Sequence, residues 1–354
     1  MKTYILTIHH IHNFGSVFQA TALCSFLKDN GYEAKIVDYR PKYYELGRNK
    51  WKTRLGQFLN YSFFRRRKKK FESFVCANQD CTDTRYLTDV QLPLLDQENA
   101  LFISGGDQLW NPYHPCGNDP VYKLSFVSKG KKVAFGTSIG RCNLNTEEIT
   151  ALAEATDNFS FIGLREASTV DMLKQFSKTS VMHMCDPVAL YEAAWYKERF
   201  VHERRIQQPY VMVYLVKPSA LLDEAIENLK KMGYRIVRVS GFKKQCACDE
   251  LIKDAGPEEI LSYLYYSDFV LSASFHATLF SILFEKQFAS LLPGANTNAR
   301  IEDILSYTGL SSRMISSPKD MEALSHIIDY TYARKRITEL REESAKRIRS
   351  VCGE

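Results

Sequence analysis

The stretch Ser272-Ala273-Ser274-Phe275-His276-Ala277-Thr278-Leu279-Phe280-Ser281 sets a histidine and several hydroxyls between two apolar runs. An imidazole titrates near ~6.5, so His276 can give or take a proton at neutral pH. Asp268-Phe269-Val270-Leu271 reads as a buried strand, and Thr278 to Phe284 as a buried helix. The small polar residues then occupy a strand-to-helix turn. In a parallel α/β sheet that turn lies at the carboxyl end of the strand, where ligands bind. The first helical turn offers N–H groups without intrahelical partners and positive dipole character, which together favour an anion. The plainer reading is a core histidine satisfied by a backbone carbonyl. Company argues against it: Gly256-Pro257-Glu258-Glu259 lies upstream and Asn298-Ala299-Arg300 downstream. Pro257 and the two glutamates also suit a helix start without any chemistry.

Similar polar turns follow the apolar runs of the first half. After the opening strand, residues 2–9, comes His10-Ile11-His12-Asn13-Phe14-Gly15, with Ser16 as the expected N-cap of a helix. Ala100 to Ser104 is followed by Gly105-Gly106-Asp107-Gln108-Leu109-Trp110. There the glycines allow close backbone approach, Asp107 and Gln108 can bind sugar hydroxyls, and Trp110 can stack on a sugar face. The alternative is a tight turn with Asp107 as a cap. Arg165, after Phe161 to Leu164, can grip a carboxylate or phosphate with both arms of its fork, or pair with Glu166. His9, His10 and His12 make a poor metal site, because strand neighbours point to opposite faces. No metal is expected.

The elements that must position these groups alternate β and α. The spacing predicts a first Rossmann-like domain over residues 1–195 and a second over 205–320, with C-terminal helices over 321–354 packing back across the surface between them. Helices are expected at 219–232, 258–266 and 301–308. The fold class is therefore α/β, two Rossmann-like domains facing a cleft. The opening βαβ lacks Gly-x-Gly-x-x-Gly, which weakens a dinucleotide reading. Residues 40–75 are expected to project from the first sheet as helices and loops, mixing aromatics with Arg65-Arg66-Arg67-Lys68-Lys69-Lys70. This basic run reads either as a solvated helix face or as a surface for lipid headgroups or a pyrophosphate-linked acceptor. No nucleic-acid module accompanies it.

The chain has 354 residues and a net charge of +6, ordinary for a globular protein. It shows no secretion signal and no apolar run of roughly 20 residues, so a cytoplasmic location is expected. The nine cysteines are scattered without a Cys-x-x-Cys pair and read as reduced thiols.

In order, the segments Asn13 to Ala20, Gly106 to Pro112, Leu164-Arg165-Glu166, Cys185-Asp186-Pro187, Ala255 to Glu259, Ser274 to Ser281 and Asn298 to Ile301 resemble the polysaccharide pyruvyl transferase family. That family usually has Gly where Ala277 stands and often Ser where Gly106 stands. The resemblance implies a glycosyltransferase-B-type fold. It also implies transfer of a pyruvyl group from phosphoenolpyruvate, with no separate cofactor, to two hydroxyls of one hexose as a cyclic ketal. Typical acceptors are capsule, exopolysaccharide or cell-wall precursors, often carried on a lipid diphosphate, which would give Arg65 to Lys70 a role at the inner membrane face. On this reading Arg165, Arg300 and the Ser274, His276, Ala277 and Thr278 turn hold phosphoenolpyruvate. Asn13, Gly15, Ser16, Asp107, Gln108 and Trp110 face the acceptor. His276 donates the proton, or holds the departing phosphate, and Asp107 or Glu258 deprotonates the attacking hydroxyl. The rival readings are a nucleotide-sugar-dependent glycosyltransferase of the same fold and a non-catalytic glycan-assembly scaffold.

Overall fold

Strands such as Ala100–Gly105 and Phe269–Ser272 are buried along their whole length. Apolar strands of this kind are stable in parallel sheets covered by helices on both faces. The computed structural model describes residues 1–46, 54–141, 143–215, 221–239, 247–292 and 299–352. It contains two such sheets, one in each of two compact units.

The first unit comprises Met1–Lys52, Val75–Tyr191 and Glu339–Glu354. Its elements are β1 (Lys2–Leu6), α1 (Phe14–Asp29), β2 (Glu33–Tyr39), α2 (Tyr43–Leu46), the last residues of α3 (Arg54–Asn78), β3 (Cys81–Tyr86), β4 (Ala100–Gly105), β5 (Lys131–Thr137), α4 (Thr146–Thr156), β6 (Phe161–Leu164), α5 (Ala167–Lys174) and β7 (Val181–His183). The strands pair in parallel in the order β3-β2-β1-β4-β5-β6-β7. Strand order reverses between β1 and β4, and in doubly wound sheets the ligand crevice opens there, beyond the carboxyl ends.

The second unit comprises Thr53–Phe74 and Glu192–Thr338. It is built from most of α3, then α6 (Ala193–Phe200), β8 (Tyr210–Tyr214), α7 (Leu222–Lys231), β9 (Arg235–Val239), β10 (Glu250–Ile252), α8 (Pro257–Tyr266), β11 (Phe269–Ser272), α9 (Phe275–Leu283), β12 (Gln287–Leu291), α10 (Ala299–Tyr307), β13 (Met314–Ile315) and the start of α11 (Thr331–Cys352). The order β10-β9-β8-β11-β12-β13 repeats the doubly wound pattern, and its reversal lies between β8 and β11.

One departure from expectation concerns α3. Most of α3 does not form an arm on the first sheet. The part of α3 up to Phe74 belongs to the second unit, where Arg66 Nε meets Asp254 Oδ2 at 2.6 Å and Lys70 Nζ meets Glu259 Oε2 at 2.6 Å. Phe74 packs beside Phe200, with ring centroids 5.6 Å apart. Opposite charges and buried aromatics distant in sequence decide this docking, and local spacing does not encode them. The C-terminal segment is likewise divided: α11 starts in the second unit and ends in the first, where Ser344 Oγ accepts the Cys185 N–H at 2.9 Å. Trp51, residues 219–220, Cys246 and Asn298 lie outside the described residues.

Candidate functional site

In the first unit, the turns after β1 and β4 are joined by side chains. Asn13, not Ser16, caps α1, its Oδ1 accepting the Gly15 N–H at 3.0 Å. Asparagine caps as well as serine. The Ser16 hydroxyl is thereby available to donate to Asp107 Oδ2 at 2.5 Å. Asp107 Oδ1 accepts its neighbour Gln108's N–H at 2.8 Å. Gly106 and Asp107 both have positive φ, 67° and 53°. A Cβ on Gly106 would lie 1.7 Å from Gln19 Oε1, so glycine is favoured there by its positive φ, and a larger residue would have to displace the Gln19 side chain. The Gln19 amide donates to Thr7 Oγ1, Ile8 O and Ser16 O, which fixes the loop after β1 against α1. Gln108 is half-buried, and its Oε1 accepts from Asn111 Nδ2 at 2.9 Å.

Two expected ligand contacts take other roles. Trp110 is 1% exposed, its Nε1 donates to Tyr122 O at 3.0 Å, and its ring meets Phe159 edge-on. It is a core residue and not a stacking platform for a sugar; the apolar bulk that suggested stacking serves packing instead. Arg165 does grip carboxylates, but they are the chain's own. Nε meets Glu166 Oε1 at 3.0 Å and Nη1 meets Asp186 Oδ2 at 2.7 Å, with all three side chains 1% exposed. Burial opposes the guanidinium charge, and the acids outweigh it and hold the group protonated. Ser138 adds a hydroxyl to Glu166 Oε1 at 2.6 Å, so the ends of β5, β6 and β7 are braced together.

Sequence reading passed over a buried pair beside the same crevice. His9 Nε2 lies 3.0 Å from Asp38 Oδ1, and Arg85 Nε reaches Asp38 Oδ2 at 3.1 Å while Arg40 closes on Oδ1. Burial would raise the Asp38 carboxyl, but His9 and Arg40 hold it far below the usual carboxylate range. Asp119 similarly gathers the hydroxyls of Tyr39 and Tyr43, each at 2.8 Å. Among the described residues no group of three His, Cys, Asp or Glu could hold a metal ion.

In the second unit, the turn after β11 is built as its residue types dictate. Ser272 Oγ donates to Tyr214 O at 2.6 Å, tying the end of β11 to the end of β8, and accepts the Ser274 N–H at 3.0 Å. Ser274 caps α9, with the Ala277 N–H 3.5 Å from its Oγ. His276 sits in the first turn of that helix, 5% exposed, its ring edge-on to Phe275. Ala277 is fully buried. The Thr278 hydroxyl is engaged within the fold, 2.7 Å from Ser290 Oγ in β12 and 3.1 Å from Ser274 O. It therefore braces the turn and does not point a donor at a ligand. Arg300 is half-buried in the first turn of α10.

The two glutamates that open α8 divide their roles. Glu259 closes the capping box on the Gly256 N–H at 2.9 Å and meets Lys70 and Arg205 Nη1, the latter at 2.9 Å. Burial would raise its carboxyl, but Lys70 and the Gly256 N–H hold it below the usual range. Glu258 is half-exposed and lies 3.7 Å from His202 Nε2. The described contacts do not bring it to His276.

A sequence model of the polysaccharide pyruvyl transferase family matches residues 13–293. Among curated proteins, none matches. Solved structures with this fold include the UDP-N-acetylglucosamine 2-epimerase of Rickettsia bellii, at 10% identity and TM-score 0.57, covering 99% of this chain and 95% of that one. The S. aureus MnaA–UDP complex aligns at 12% identity and TM-score 0.53, covering 98% and 94%. A putative UDP-N-acetylglucosamine 2-epimerase from Listeria monocytogenes gives 12% and 0.51, covering 98% and 94%. At such identities the likeness is one of fold, the glycosyltransferase-B type.

Proposed function

The chain belongs to the polysaccharide pyruvyl transferase family, an enzyme family, and from that premise we propose that it moves a pyruvyl group from phosphoenolpyruvate onto two hydroxyls of a hexose, forming a cyclic ketal. The observation that carries this reading is the family match across residues 13–293, which spans the switch-point residues of both sheets.

The donor is a compact trianion, and the turn after β11 suits it. The first turn of α9 supplies N–H groups and dipole, Arg300 supplies a cation, and His276 supplies a titratable group. Protonation of the donor's methylene carbon by His276 generates an oxocarbenium-like centre. The first sugar hydroxyl adds to that centre and phosphate leaves. The second hydroxyl then closes the ketal. Two hydroxyl protons are lost: one balances the proton delivered to carbon, and the other leaves on phosphate. Asp107, which accepts one hydroxyl and one N–H, takes a sugar proton. Asn13, Gly15, Ser16 and Gln108 form the acceptor's surroundings. Arg165 orients Glu166 and Asp186 and acts on the reaction through them. No cofactor is required by this chemistry.

The acceptor belongs to the class of capsule, exopolysaccharide or cell-wall precursors. Arg65 and Lys69, exposed on α3, offer charge to a lipid-diphosphate carrier or to an anionic inner membrane face. No described helix is long and apolar enough to cross a membrane.

The test is phosphate release from phosphoenolpyruvate with a panel of galactosides, glucosides and N-acetylmannosaminides, read together with a pyruvyl mass on the sugar. Acceptor-dependent release supports the reading, and His276→Ala and Arg300→Ala should each abolish it while the fold persists. Absence of phosphate release with release of a nucleoside diphosphate from a nucleotide sugar would select the glycosyltransferase reading.

A further inference from the structure

Asp38 stands one residue before the end of β2, and its in-register partner is Arg85, one residue before the end of β3. Arg40 follows β2 directly, and its N–H continues the ladder to Tyr86 O at 2.8 Å. Cross-strand partners share a face, as do residues two apart on a strand. Asp38, Arg40 and Arg85 therefore lie together at the carboxyl edge of the first unit's sheet, the edge where ligands bind. His9, in the turn after β1, completes the group. It is fully buried, with Nδ1 3.2 Å from Thr7 O and Nε2 3.0 Å from Asp38 Oδ1. The Asp38 N–H meets Thr82 Oγ1 at 3.1 Å, so the carboxylate is anchored through its backbone as well.

Two guanidiniums close on this one carboxylate. Arg40 meets Oδ1, Arg85 meets Oδ2 at 3.1 Å, and each does so through Nε. Among the described residues no second carboxylate pairs with either, and their Nη groups make no hydrogen bond. Side-chain exposure rises outward, from 0% at His9 and 10% at Asp38 to 28% at Arg40 and 58% at Arg85. A buried acid thus anchors two forks that reach toward solvent. One guanidinium would balance the Asp38 charge; the second leaves the cluster positive before the imidazole is counted.

We propose that Arg40 and Arg85, oriented by Asp38 and His9, form an anion subsite of the first unit that takes a phosphoryl group borne by the acceptor sugar. This rests on the pyruvyl-transfer reading and adds to it a cationic contact on the acceptor's side. With Nε engaged, each guanidinium still offers the two parallel N–H donors of its Nη edge, the pattern that phosphate oxygens accept. The forks are set before the anion arrives, because the group that orients them is buried and itself held. The cluster is also tied to the acceptor turn. The Gln19 amide donates to Thr7 Oγ1 and Ile8 O, next to His9, and to Ser16 O, while the Ser16 hydroxyl donates to Asp107.

The experiment has two arms. In the first, the full chain carrying isotope-labelled arginine is titrated with inorganic pyrophosphate and read by NMR at the Nε–Hε resonances of Arg40 and Arg85, assigned with Arg40→Lys and Arg85→Lys. This reads the subsite itself, whatever else in the chain binds an anion. Both resonances should move along one saturation curve, and Arg85→Met should weaken that curve at Arg40 about tenfold or more. The second arm supplies phosphoenolpyruvate and compares a hexosyl diphosphate ester with the methyl glycoside of the same hexose as acceptors. The wild type should have the lower KM for the diphosphate, and Arg85→Met should cut that preference about tenfold, with Arg85→Lys recovering part of it. If Arg85→Met does not fold, Arg85→Lys and Arg40→Lys carry both comparisons. A merely structural cluster would lower the melting temperature of the variants and show no pyrophosphate curve. Resonances that stay still through the titration, or a preference that survives Arg85→Met, overturn the proposal. Pyrophosphate binding at both arginines in a chain that consumes no phosphoenolpyruvate would sustain the anion subsite and sink the pyruvyl-transfer reading. Ketal formation without any preference for the diphosphate would do the reverse.

Discussion

Ser16 donates its hydroxyl to Asp107 Oδ2 at 2.5 Å, across the point where the first sheet reverses its strand order. The bond joins the start of α1 to a turn in which Gly106 and Asp107 both take positive φ. The hydroxyl holds the carboxylate in one orientation. Ser16→Ala should therefore lower kcat about tenfold, the value of one lost charge-assisted hydrogen bond, while the fold persists. Steady-state kinetics with a thermal melt checks this, and an unchanged kcat in the folded variant would take the Ser16–Asp107 bond out of the reaction.

Arg165, Glu166 and Asp186 form a buried triad with one more acid than base. Replacing the guanidinium with an apolar side chain strands two carboxylates away from water. Arg165→Met should lower unfolding free energy by about 3–5 kcal/mol, seen as a fall in the urea midpoint. Adding Glu166→Gln and Asp186→Asn should recover part of the loss. A single variant as stable as the wild type would show that the triad does not brace β5, β6 and β7.

The central strands of both sheets were readable as apolar runs because burial on two faces demands them. Of the edge strands, β3, β10 and β13 were not: β3 carries Asp83 and Arg85, β10 has three residues and β13 has two. The turn at His276 was legible in the same way, since strand, small residues and helix are contiguous there. Roles that depend on a distant partner were hidden. Trp110 and Arg165 have side chains fit for ligands, and only the folded chain shows Tyr122 O and the two acids meeting them. The docking of α3 was hidden for the same reason, because Asp254 and Glu259 lie far along the sequence from Arg66 and Lys70.

The burial of Trp110 separates packing from recognition in a measurable way. Trp110→Phe removes the Nε1 donor to Tyr122 O and trims the edge contact with Phe159. Stability should drop by about 0.5–1.5 kcal/mol, the net value of one hydrogen bond, because Ser104 Oγ still donates to Tyr122 O at 2.6 Å. The acceptor KM of the folded enzyme should hold. The opposite result, unchanged stability with a raised acceptor KM, would return the indole to a sugar-stacking role.

Asp96 anchors the loop before β5. It accepts the N–H groups of Ser128, Lys129 and Gly130 at 2.8, 3.0 and 2.9 Å, and the Ser128 hydroxyl at 2.8 Å. Desolvation raises its carboxyl, but these donors together outweigh it and bring the pKa down to about 2. A carboxyl depressed in the folded state contributes stability above its unfolded pKa, about 4 for an aspartate, and loses it as pH falls through the folded value. Asp96→Asn should accordingly lie below the wild type in urea midpoint at pH 7, and the gap should narrow steadily between pH 4 and pH 2. Denaturation series at pH 7, 4 and 2.5 read the effect directly. A gap that stays constant over that range would mean that the loop is held by its backbone geometry and that the carboxylate charge contributes nothing.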